Sequence, residues 1–88
     1  MRLNGNFVLR QIAGETLAVP VGESALKFGG MIVLNPVSAV IFECLKQDTD
    51  LDSIVEAVTN RFDIDHAEAR EDVIAFLAQM RKENLILY

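Results

Sequence analysis

The sequence has almost none of the residues from which small proteins build catalytic or metal centres: one cysteine, one histidine, one tyrosine and no tryptophan in 88 residues. A single cysteine, Cys44, excludes an internal disulfide and a multi-cysteine metal site. Cys44 and His66 fall on different predicted helices, so they do not converge as ligands, and no cofactor or metal is expected. Cys44 reads as a small buried apolar residue and His66 as an exposed first-turn residue. Phosphate loops of the GxxxxGK[ST] or GxGxxG type are missing, and Gly29-Gly30 is a bare pair at a turn before a strand. Ser24, Ser38 and Ser53 have one histidine to share and no motif around them. The carboxylates Glu68, Glu71 and Asp72 read as a solvated helix face that complements the macrodipole. Nothing in the chain points to an enzyme.

Positive charge is also scarce. Eight basic residues stand against 13 acidic ones, a formal net charge of -5, which argues against nucleic-acid partners because that affinity comes from Lys and Arg neutralising phosphates. The longest uncharged run, Phe28 to Phe42, is broken by Gly29, Gly30, Asn35 and Pro36 and falls short of the ~20 residues needed to span a bilayer. Met1 to Asn6 lack the apolar core of a secretory signal, so a cytoplasmic protein without membrane association is expected.

What is present is a single domain's worth of apolar residues, 51% of the chain, with 24% charged. Residues 7–12 and 16–21, separated by Ala13-Gly14-Glu15, predict a hairpin. Leu17, Val19 and Val21 alternate with Thr16, Ala18 and Pro20, as in a half-buried strand, with Pro20 at an edge, bulge or strand end. A connection over 22–30 leads to a third strand over 31–34, completing an antiparallel meander. Asn35-Pro36 then starts a helix, Asn capping an orphan N–H and Pro fitting the first helical position. That helix runs over 36–46 with Val37, Val40, Ile41, Cys44 and Leu45 inward. A second helix over 50–62 opens at the capping-box-like Thr49-Asp50-Leu51-Asp52 and buries Leu51, Ile54, Val55, Val58 and Phe62. A third, over 66–83, is capped by Asp65 with Glu68 and ends at Asn84 in a left-handed position. The tail Leu85 to Tyr88 is apolar enough to fold back. The expected class is α+β, winged-helix-like: a three-stranded antiparallel sheet followed by a three-helix bundle in one domain.

Two features exceed what a core requires. Met31 to Leu34 carry no charge, although natural sheets usually charge or shorten their edges, so a partner or second copy is a candidate to cover this one. Either Met31 with Val33 or Ile32 with Leu34 faces outward. On the third helix, Ala69, Val73, Phe76, Leu77 and Met80 share one arc, whereas Ile74 sits about a quarter turn away beside Ala67 and Ala78, flanked by Arg70 and Arg81. Ile74 either packs on the tail or a neighbouring helix, or forms one wall of a groove for an extended peptide whose acidic groups meet Arg70 or Arg81.

The segments GGMIVLN, DTDLDSIVEAVTNRFDID and EDVIAFLAQMRKENLI, in that order, resemble the PqqD family, also called precursor peptide recognition elements, over residues 7–87. The shared features are Leu34-Asn35 at the strand–helix seam, Phe62-Asp63 closing the second helix, and Asp72-Val73 leading to Phe76-Leu77; Asn84 departs from the family's usual glycine. The resemblance implies a non-catalytic protein that binds the leader of a ribosomally made precursor peptide and presents it to a modifying enzyme such as a radical S-adenosylmethionine protein. It further implies that the leader adds to the third strand and packs on the third helix, which here gives a groove of Met31, Ile32, Val33 and Leu34 facing Arg70, Ile74, Ala78 and Arg81. Alternatives are a homodimer or enzyme-associated subunit pairing through the same strand, and a winged-helix DNA-binding regulator. The last is disfavoured by a third helix with more acidic than basic residues.

Overall fold

A computed structural model describes all 88 residues. In chain order the elements are β1 (Arg2–Leu3), β2 (Phe7–Ile12), β3 (Glu15–Pro20), α1 (Ser24–Lys27), β4 (Ile32–Leu34), α2 (Pro36–Cys44), α3 (Leu51–Arg61), α4 (His66–Lys82) and β5 (Ile86–Leu87). The predicted meander is the antiparallel sheet β2-β3-β4, and a second small sheet pairs β1 with β5. Three elements were not expected: the short helix α1 inside the predicted connection, and the two strands that join the chain ends. No helix is long and apolar enough to cross a membrane.

The hairpin turn is one residue tighter than the sequence suggested. Ala13 and Gly14 have φ of 52° and 82°, the doubly left-handed backbone of a two-residue turn that matches strand twist. Glu15 therefore pairs with Ile12, and Pro20 closes β3 opposite Phe7, at a strand end as proline requires. Since side chains alternate, the register puts Phe7, Leu9, Ala18, Pro20, Ile32 and Leu34 on the helix side and Val8, Arg10, Leu17, Val19 and Val33 on the other. Ala18, not the larger alternating set, enters the core with no exposure. Leu17 is buried on the opposite face between Arg10 and Val33. The question left open for the third strand is thus answered: Ile32 and Leu34 face the helices, while Met31 and Val33 are 61% and 64% exposed.

The helix starts follow their caps. Asn35 accepts from the Ser38 N–H at 2.8 Å with Pro36 in the first turn, as the sequence indicates. Asp50, not Thr49, caps α3, accepting from the Ser53 N–H at 2.8 Å; this hydrogen bond holds the Asp50 carboxyl below the ordinary range. Asp65 occupies the N-cap of α4 with no side-chain bond. At the other end of α4, Asn84 is left-handed (φ 59°), with Leu85 N–H donating to Met80 C=O at 2.9 Å and Asn84 N–H to Arg81 C=O at 3.0 Å. This is a Schellman closure. It turns Leu85 and Ile86 back into the core and sets β5 against β1.

The core joins the sheet to α2, α3 and α4 through Phe42, Ile41, Leu45, Ile54, Val55, Val58 and Val73, all essentially inaccessible. Phe42 was missed by the helical stripe read for α2. Its ring meets Phe7 edge-on at 5.4 Å, and Phe7 in turn meets Phe28, the residue after α1, at 5.5 Å. The turn before β2 is also fitted to α1. Ser24 Oγ accepts from the Asn6 N–H at 2.8 Å, and a Cβ on Gly5 (φ 133°) would sit 2.5 Å from that oxygen.

Candidate functional site

β4 is bonded to β3 on one side only, so its other edge is free. Three residues of unpaired N–H and C=O groups are thereby offered to an incoming strand. The chain leaves β4 directly into the N-terminus of α2. Between that terminus and α4 lies a recess of about 260 Å³, lined by Asn35, Val37, Ser38 and Ile41 on one side and Asp72, Ala75 and Phe76 on the other. The edge strand and the recess are linked through Asn35, which follows Leu34 and lines the recess.

The flank of α4 that lines this recess is the one carrying Asp72 and Phe76. At roughly 100° per residue, Ile74 is about 200° from either. Arg70, Ile74, Ala78 and Arg81 occupy the opposite flank, and their partners agree. Arg70 reaches Asp52 on α3 at 3.2 Å. Arg81 lies over the Tyr88 ring at 5.4 Å and touches Met1 Sδ at 3.7 Å. Ile74 is 46% exposed, outside the buried arc of Ala69, Val73, Leu77 and Met80. Of the groove expected from the sequence, the strand wall (Met31, Ile32, Val33, Leu34) sits where a partner strand would add, but the structure does not set Arg70, Ile74, Ala78 and Arg81 against it. The wheel placed Ala69, Val73, Leu77 and Met80 in the core and Ile74 outside it; it held no information on which neighbour lies beyond each border of the core stripe. Phe76, assigned wholly to the core, is half-buried and lines the recess.

A larger recess of about 500 Å³ lies among the hairpin turn, α2 and the end of α3, where Gln11, Thr16 and Arg61 mix with Val40 and Phe62. No group of three or more metal-ligating side chains converges. Cys44, beside this region, is partly exposed, and burial, with Glu43 adding, pushes its thiol up from the ordinary range, so it stays protonated at neutral pH.

Comparison with known proteins bears on this geometry. Curated proteins yield no match. Among solved structures, TbiB1 in complex with the TbiA(beta) leader peptide superposes with a TM-score of 0.70 at 21% identity, covering 100% of this chain and 98% of that one. A lasso peptide synthetase B1 complexed with the leader peptide superposes with a TM-score of 0.69 at 15% identity, covering 99% and 96%. At these identities the likeness is one of fold. The family model for coenzyme PQQ synthesis protein D matches residues 7–86, which takes in every element but the first strand and the last residues, and the chain belongs to the PqqD family.

Proposed function

We propose that this protein is a non-catalytic recognition module that binds the leader of a ribosomally made precursor peptide as an added strand on β4 and presents it to a modifying enzyme. The observation that carries the reading is the free, uncharged edge of Ile32–Leu34 running into an apolar recess on the Asp72–Phe76 flank of α4. Backbone hydrogen bonds along the edge fix register, and alternate side chains of the added strand point to the two faces. Those on the helix side meet Val37 and Phe76, with Ile41 buried beneath them; those on the other side lie beside the exposed Val33 and Met31. Membership of the PqqD family and the leader peptides held by the two structural neighbours support the same occupant. The modifying enzyme, a radical S-adenosylmethionine protein or one of similar role, docks elsewhere, so that the leader edge stays occupied.

The test is a fluorescence-anisotropy titration with the labelled leader of a precursor encoded beside the gene, against a scrambled leader. Saturable binding of the native leader alone is expected. Equal binding of both, or none, would overturn the proposal. Added leader should also dissociate any homodimer formed through β4, since both use one edge; a dimer that persists in saturating leader would place self-association on another surface.

A further inference from the structure

The walls of the recess differ in charge from the rest of α4. Asp72 lines it and Glu68 lies one turn earlier on the same side, neither engaged in an ion pair within the chain. No lysine or arginine lines it. Both arginines of α4 project from the opposite flank, and its one lysine, Lys82, is two turns beyond Ala75 at the helix's far end. Beside the carboxylate, Val37, Ile41, Ala75 and the half-buried Phe76 ring make the larger, apolar part of the lining, and Asn35 and Ser38 at the α2 N-terminus complete it. A carboxylate at the rim of an aliphatic and aromatic trough suits one kind of side chain. Lys and Arg lay their methylenes on apolar surface while the charged head stays at the wet rim, and an aromatic face adds cation attraction.

Resting on the leader-binding reading, we infer that this recess selects a basic residue of the leader, seated with its stem on Val37 and Phe76 and its head at Asp72. This reverses the sign expected from the sequence, where Arg70 and Arg81 were to meet acidic groups. The one opposing feature is the N-terminus of α2, which favours anions with about half an elementary charge. That terminus is largely spent: Pro36 has no N–H and the Ser38 N–H is taken by Asn35. A whole, unpaired carboxylate with Glu68 behind it outweighs the remainder.

The test is selection of a random-sequence peptide display library on the full chain, followed by anisotropy titrations of the enriched peptides. Enrichment of Lys or Arg within apolar, extended sequences is expected. Asp72→Lys should bind those peptides about tenfold or more weakly, the scale of a charge-assisted hydrogen bond. Replacing the peptide's basic residue by methionine should cause a like loss, and the two changes together should cost little more than either alone. If Asp72→Lys fails to fold by circular dichroism, Asp72→Asn takes its place. Enriched peptides with no basic preference, bound equally by the variant, would overturn the charge selection and leave strand addition standing. No enriched peptide at all would remove both.

Discussion

The two flanks of α4 have similar sequence credentials and different surroundings. One carries Arg70, Ile74, Ala78 and Arg81, and its polar groups are already occupied by Asp52, Tyr88 and Met1. The other carries Glu68, Asp72, Ala75 and Gln79 and borders a recess beside a free strand edge, with its carboxylates unpaired. Exposed apolar residues beside arginines look more like a binding strip than acids beside an alanine do. What separates a used surface from an available one is whether the chain itself satisfies it, and that is decided by partners distant in sequence: Asp52 lies 18 residues from Arg70, and Met1 80 from Arg81.

Changes placed between, on and across the flanks probe this contrast. The largest effect belongs to the stripe they share: Leu77→Ala, at a site 2% exposed, should cost about 2–5 kcal/mol of stability in chemical denaturation and weaken both sides alike. Next is Ala75→Arg, which places a bulky cation in the recess. It should lower leader affinity about tenfold or more, about 1.4 kcal/mol, with an unchanged melting temperature. Arg70→Ala removes an exposed pair and should cost at most about 1 kcal/mol of stability, less as salt is raised, and leave leader binding alone. Ile74→Asp should be the mildest, within about 0.5 kcal/mol in stability and in leader affinity. Loss of binding in Ile74→Asp with the fold intact would show that the flanks have been assigned the wrong way round.

Much of the fold was legible because its signals are local. Asn35-Pro36 announces α2 within a few residues, the hairpin is set by Ala13-Gly14, and the Ala69–Val73–Leu77–Met80 arc follows from helical period alone. Asn84 also declared its left-handed role. The strands β1 and β5 were invisible, being two residues each and stabilised only by meeting across the whole chain. α1 is a single turn held by Ser24 and Phe28 rather than by any periodicity. For the site, the uncharged strand at Met31–Leu34 could be read as an edge, since a missing charge is a property of the sequence. The wall opposite could not. An angle on a helical wheel becomes a direction only once α2 and α3 have been placed on the two sides of α4.

Where an extended peptide touches the protein decides most directly between the two flanks of α4. Methyl-labelled NMR of the full chain, titrated with the leader of a precursor encoded beside the gene, separates the two flanks in one spectrum. Shifts at the methyls of Ile32, Leu34, Val37 and Ile41, with that of Ile74 unmoved, are the predicted result. Shifts centred on Ile74, with the β4 and α2 methyls unmoved, would contradict it.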